Sequence, residues 1–215
     1  MNGEYDYTGY EWIDTKTCSY NYLYQLILKI IEKIGLETDS KILDAGCGGG
    51  QLIYDLYKIG YLNIYGFDAS LSAIEIAKKN FVEIESKYFV HNAFEKMLPG
   101  NMPIEYDLII SMEVIEHLFN PKIYLNNIYT WLSRDGYLIL TTPYHGWLKN
   151  LVIVLLNRFD KHFDPLSEHG HIKFFSTKTI KKLLNQIGFR VINFYGAGRL
   201  PFFWKSMIFL AQKGR

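Results

Sequence analysis

The chain has 215 residues, 49% of them apolar and 16% aromatic, with 23 basic against 22 acidic side chains and a net charge of +1. That length suits one α/β core, residues 1–215 as a single domain, with apolar surface to spare for a pocket. The even charge, with only the short Lys pairs 78–79 and 181–182, argues against a nucleic-acid substrate, whose phosphates call for a clustered basic surface.

Met1 to Trp12 is polar, acidic and rich in tyrosine, unlike a signal peptide. Two cysteines, Cys18 and Cys47, make neither a disulfide framework nor a zinc site, so a cytoplasmic location is expected. Leu23, Leu26, Ile27, Ile30, Ile31 and Ile34 recur at helical spacing and stop at Gly35. They predict a helix over 20–34, with residues 1–36 forming a helical cap on the cofactor side.

The most informative stretch follows. Lys41 to Gly50, KILDAGCGGG, reads as a buried strand (Ile42, Leu43, Ala45) running into a glycine turn at the mouth of a helix. A dinucleotide turn needs G-x-G-x-x-G, but the sixth place is Gln51 counted from Gly46 and Ile53 counted from Gly48. About twenty residues on, Asn63 to Phe67 gives a second strand closed by Asp68, a carboxylate placed to accept from ribose hydroxyls. Ser70, or Ser72 with Glu75 three residues later, opens the next helix, through Asn80. Lys87 to His91 is a third strand, with Asn92 and Ala93 at its end. Tyr106 to Leu118, YDLIISMEVIEHL, gives a fourth strand ending near Ser111 and then the loop EVIEH.

Asn120 before Pro121 starts a helix to about Ser133, Asp135 and Gly136 turn the chain, and Tyr137 to Thr142 is a fifth strand. Trp147 to Phe159 is an apolar lid, too short to span a bilayer, that can cover an acceptor or lie on a membrane surface. Ser176 caps a helix with Ile180, Leu183, Leu184 and Ile187 on one face, and a strand over 189–195 follows. The alternation of strands and helices implies a parallel sheet covered on both faces.

The pattern D-x-G-x-G-x-G at Asp44, Gly46, Gly48 and Gly50, with Asp68, Asn92 and EVIEH, resembles the class I S-adenosylmethionine-dependent methyltransferases. EVIEH resembles the branch that contains the ubiquinone-biosynthesis O-methyltransferases. The resemblance covers about residues 40 to 195 and implies a Rossmann-like three-layer αβα sandwich. Its seven-stranded sheet would be mostly parallel, with an antiparallel last strand from Phe202 to Leu210. Asp44, Ala45, Gly46, Cys47, Gly48, Gly50, Asp68, Ala69, Asn92, Ala93, Ser111, Met112 and Glu113 would then bind S-adenosylmethionine and release S-adenosylhomocysteine.

Glu116 and His117 are the candidates for the base that takes the proton of an oxygen or nitrogen acceptor. Residues 144–175 would form the acceptor lid, with Tyr144, His145 and His169 touching a small molecule of aromatic, lipid-linked or sugar-derived type. An inactive cofactor-binding regulator is the alternative function. Spacing assigns no residue to a metal, His169 and His171 being two apart with no Cys partner. The coenzyme-Q resemblance nevertheless links the positions of Glu113, Glu116 and His117 to a divalent cation.

Overall fold

The computed structural model describes residues 14–17, 19–163, 166 and 170–214. The strands are β1 (Ile42–Ala45), β2 (Ile64–Asp68), β3 (Tyr88–Val90), β4 (Tyr106–Met112), β5 (Leu132–Pro143), β6 (Phe189–Ala197) and β7 (Ser206–Lys213). The helices are α1 (Tyr20–Lys33), α2 (Gln51–Lys58), α3 (Leu71–Asn80), α4 (Pro121–Trp131), α5 (Trp147–Leu155), α6 (Phe159–Phe163) and α7 (Thr177–Ile187).

Among the described residues the sheet has seven strands in the order β3-β2-β1-β4-β5-β7-β6. β1 to β5 run parallel to one another, and β7 runs antiparallel to both β5 and β6. Alternation along the strands builds the two covering layers. Ile42, Leu108, Ile110, Ile139, Ile208 and Leu210 face α1, α2 and α3. Leu43, Ile109, Leu138, Leu140, Met207 and Phe209 face α4 and α7. This is the expected αβα sandwich.

The order reverses beside β1, which pairs with β2 on one side and β4 on the other. A crevice opens at such a point beyond the carboxyl ends of the strands. The glycine turn sits there because other side chains are excluded. Gly46 has φ +88°, and a Cβ on it would lie 2.5 Å from Val114 Cγ2. Gly50 has φ +83°, and its Cβ would lie 2.6 Å from Tyr88 Cε1 and 2.7 Å from Ala77 Cβ. Gly50→Ala is therefore expected to destabilise the fold by about 2 kcal/mol or more, combining left-handed strain with overpacking. A fall in the urea midpoint at unchanged m-value checks it.

Several boundaries differ from the sequence expectation for local reasons. The last strand begins at Ser206, because Gly198 (φ 89°) and Phe202 (φ 67°) keep the chain turning until Lys205 N donates to Ala197 O at 2.8 Å. Ser70, not Ser72, caps α3: its hydroxyl accepts from Ala73 N at 3.3 Å. α4 stops at Trp131, and Leu132 already pairs with Tyr106 before a register shift carries β5 onward. α1 lies along a sheet face. Its first turn bonds the start of β7, Tyr22 hydroxyl lying 2.9 Å from Ser206 Oγ, and residues 1–13 of the expected cap lie outside the described residues. No helix of the described residues is long and apolar enough to cross a membrane.

Candidate active site

The turn after β1 is closed by backbone bonds. Gly46 N and Cys47 N both donate to Phe67 O, at 2.8 and 2.9 Å, so it is locked to the end of β2. Gly48 N then donates to Asp68 Oδ2 at 2.9 Å, and Ser70 N to Asp68 Oδ1 at 2.9 Å. With three backbone amides on the carboxylate, one acceptor position remains for a hydroxyl donor. Burial pushes the Asp68 carboxyl up while these amides, with that of Ala69, pull it down. Cys47 is buried against Gly66, and its thiol is pushed well up by burial, consistent with packing rather than redox chemistry.

Asp44 is the orphan of the site. It is buried, and its Oδ1 has no hydrogen-bond partner among the described residues. Burial, and secondarily the nearby Asp68 carboxylate, raise its pKa to about 8. An unpaired buried carboxylate is costly unless a donor or cation meets it. S-adenosylmethionine carries both an ammonium and a sulfonium, and its ribose offers the donors that Asp68 can take. Asp44, Asp68 and the bare glycine turn thus fit that cofactor. At the third strand end, Asn92 Oδ1 accepts from Phe94 N at 3.0 Å, and the carbonyl of Ala93 accepts from Asn127 Nδ2 at 2.9 Å. Asn92 keeps its amide NH2 and a second lone pair for an adenine edge.

Of the β4 residues, Ser111 is fully buried, and its Oγ accepts from Tyr124 hydroxyl at 2.8 Å. The same hydroxyl lies 3.0 Å from Ala45 O, so α4 ties the ends of β1 and β4 together. Met112 is half-buried against the α1 layer. Glu113 follows in the left-handed region at φ 56°, a conformation that turns the loop back under the site. Its Oε1 accepts from Thr141 Oγ at 2.7 Å and its Oε2 from Ser206 Oγ at 3.0 Å. Burial raises its pKa to about 7 against the opposing pull of those two hydroxyls.

Glu116 sits one short 3-10 turn further on and is fully buried. Neither of its oxygens makes a hydrogen bond of ordinary geometry among the described residues; Thr142 is beside it and His171 Nε2 lies 4.0 Å from Oε1. Burial first, and then Glu113, push its carboxyl well above the ordinary range. One ligand atom each of Glu116, His117 and His171 lies within 4.8 Å of the others, and the two imidazole centroids are 4.9 Å apart. The backbone holds His171 there, since Ile172 N and Lys173 N both donate to Glu116 O at 3.0 Å. An orphaned carboxylate with two imidazoles is a donor set that suits a divalent cation. Glu113 is not part of it, because its oxygens are directed at Thr141 and Ser206.

The segment expected on the acceptor side is aromatic. Tyr144 is buried against Trp204, its ring edge-on at 5.1 Å, which makes it a wall rather than an exposed contact. His145 is buried, stacks on Phe163 at 5.5 Å and meets Phe174 edge-on at 5.2 Å. Burial is the main cause that lowers its pKa to about 4, so the imidazole is neutral. His169 lies outside the described residues. Sequence reasoning passed over Tyr124, Thr141 and Ser206, whose hydroxyls orient the loop. It placed His171 with His169 rather than with Glu116.

Sheet order, glycine turn and the Asp68 carboxylate at the end of β2 define a fold of the Rossmann-like, nucleotide-binding class. Residues 20–193 match the family model described as "Methyltransferase domain", and the chain belongs to that family. It is 29% identical over 153 residues to the mitochondrial ubiquinone biosynthesis O-methyltransferase of Schizosaccharomyces pombe, covering 69% of this chain and 54% of that protein. It is 26% identical over 156 residues to the ubiquinone biosynthesis O-methyltransferase of Bartonella quintana, covering 73% and 62%. The chain thus spans between about half and two thirds of these relatives' lengths.

Among solved structures it is similar to magnesium protoporphyrin IX methyltransferase from Synechocystis PCC 6803 with bound S-adenosylhomocysteine. The TM-score is 0.68 and the identity 18%, over 89% of this chain and 82% of that one. It is also similar to the [4+2]-cyclase SpnF, with a TM-score of 0.70 and 14% identity over 96% and 86%. One fold thus carries different named activities, and function has to be argued from the site.

Proposed function

We propose that the protein transfers a methyl group from S-adenosylmethionine to a hydroxyl of a small, aromatic acceptor. The observation that carries this reading is the buried, unbonded Glu116 carboxylate converging with His117 and His171 beside the cofactor turn. When bound, the cofactor supplies an already activated sulfonium methyl, so the chain's main tasks are to hold the acceptor in line and to help it lose its proton. Asp44 and Asp68 would hold the cofactor's cationic and ribose groups. Glu116, His117 and His171 would hold a divalent cation, which would supply Lewis acidity to ease loss of a hydroxyl proton whose ordinary pKa is near 10. His117 in this reading serves as a ligand, not as the free base that the sequence suggested. The names of the relatives, O-methyltransferases of ubiquinone biosynthesis, support an oxygen acceptor on an aromatic ring.

The test is calorimetric titration with S-adenosylhomocysteine and NADH in parallel, followed by a radiolabelled methyl-transfer assay on catechol acceptors with and without magnesium. Binding of the first alone, with metal-dependent transfer, is the expected result. NADH binding sinks the cofactor reading. S-adenosylhomocysteine binding without transfer to any catechol points instead to the inactive regulator.

A further inference from the structure

α5 is built inside out. Its sequence WLKNLVIVL is apolar almost throughout, yet the residue it buries is Lys149, at 8% exposure, while Trp147 and Leu155 stand 76% and 73% exposed. Enclosing an ammonium is expensive unless it is paired. Lys149 Nζ donates to Tyr144 O at 2.8 Å, and among the described residues no carboxylate lies within 4.0 Å of it. An ammonium has three donors. The charge of Glu113 reaches it, but both Glu113 oxygens are already engaged by Thr141 and Ser206.

The surroundings make the cation less comfortable still. Its side chain folds back to Tyr144, three residues before α5 begins, toward the helix N-terminus, where the helix dipole is positive and Gly146 provides no side-chain cap. Arg199, on the turn between β6 and β7, adds like charge that reaches both Lys149 and His162. Burial, with Arg199 second, lowers the Lys149 pKa to about 8, which leaves the group mostly cationic at neutral pH. The Tyr144 carbonyl and the more distant Glu113 charge are what oppose these costs in the apo protein. The aromatic wall of His145, Phe163 and Phe174 lies alongside, and the charge of Lys149 reaches His145.

We infer that Lys149, assisted by Arg199, is an anion subsite of the acceptor pocket, selecting aromatic acceptors that carry a carboxylate or phosphate. Its place as an acceptor site rests on the methyl-transfer reading; the anion preference itself does not. The two spare donors of Lys149 meet the oxyanion directly, and the guanidinium of Arg199 closes over it from the solvent side. Selection against neutral acceptors follows from the same geometry, since a neutral ring leaves the buried ammonium unpaired.

Benzoate, phenyl phosphate and the neutral isostere benzamide, titrated into the protein loaded with S-adenosylhomocysteine, test this. At least one anion is expected to bind about tenfold or more tighter than benzamide. Lys149→Met, which keeps the stem and drops the charge, should erase that preference. Arg199→Gln, at an exposed position, should weaken it about threefold. S-adenosylhomocysteine affinity of both variants should stay within about threefold of the parent, which reads out folding. Anions that bind no tighter than benzamide, or a preference that survives Lys149→Met, overturn the subsite. A parent protein that binds no S-adenosylhomocysteine sinks the methyl-transfer reading instead, and the same probes titrated into unloaded protein still decide the subsite.

Discussion

Asn in place of Asp44 is expected to weaken S-adenosylhomocysteine binding by about 10- to 100-fold while raising the stability of the unliganded protein at pH 8 by about 1–2 kcal/mol. Both effects come from one atom. Asp44 Oδ1 is buried without a partner, and its carboxyl titrates at about 8 in the fold against 3.8 in an ordinary environment. Because the folded value lies above the unfolded one, the native state binds the extra proton between them. The stability tied to Asp44 is full below about pH 4 and is lost as pH rises through about 8. Glu113, titrating at about 7 in the fold, slopes in the same direction.

Thermal melts of the two proteins without ligand should therefore coincide near pH 4 and separate toward pH 8, the variant melting higher. Binding a cationic cofactor draws the carboxylate form out. Affinity in the parent should rise between pH 6 and 8, with proton release seen as a binding heat that varies with the buffer's ionisation enthalpy. If Asp44→Asn lowers the melting point at pH 8 and leaves affinity unchanged, Asp44 is a structural residue and the site has been misassigned.

The parts legible in the sequence were those fixed by short separations. The glycine turn, Asp68 and Asn92 each lie at the end of a strand whose own residues announce it, and Asp68 to Gly48 is a contact twenty residues long. The αβα layering followed from alternating elements, and the helix caps at Ser70, Asn120 and Ser176 were local patterns. What the sequence hid was made by long closures. Ser206 reaches Glu113 across 93 residues, and His171 meets Glu116 only because two backbone amides dock on one carbonyl. Lys149 reads in sequence as an interruption of an apolar run, yet it is the residue that α5 buries, because Tyr144, just past the end of β5, offers it a carbonyl and much of the helix's apolar surface faces outward. Periodicity locates a face but does not say which face a neighbouring element will cover.

Loss of any one of Glu116, His117 or His171 is expected to lower kcat about 10²- to 10³-fold while S-adenosylhomocysteine binding stays near the parent value. The three atoms converge from two segments, and only Glu116 is fully enclosed, so Glu116→Gln removes the charge without removing the shape. Chelation with EDTA should abolish turnover of the parent, and added magnesium or manganese should restore it. Glu113→Gln is the discriminating control. Its oxygens are committed to Thr141 and Ser206, so that variant should keep its response to metal even where its turnover falls, whereas His171→Ala should need far more metal to reach half-maximal rate. The opposite pattern, with metal response lost in Glu113→Gln and kept in His171→Ala, would return the cation to Glu113, Glu116 and His117. Turnover indifferent to EDTA, but dependent on His117, would make that imidazole a free base and leave Glu116 as its buried electrostatic support.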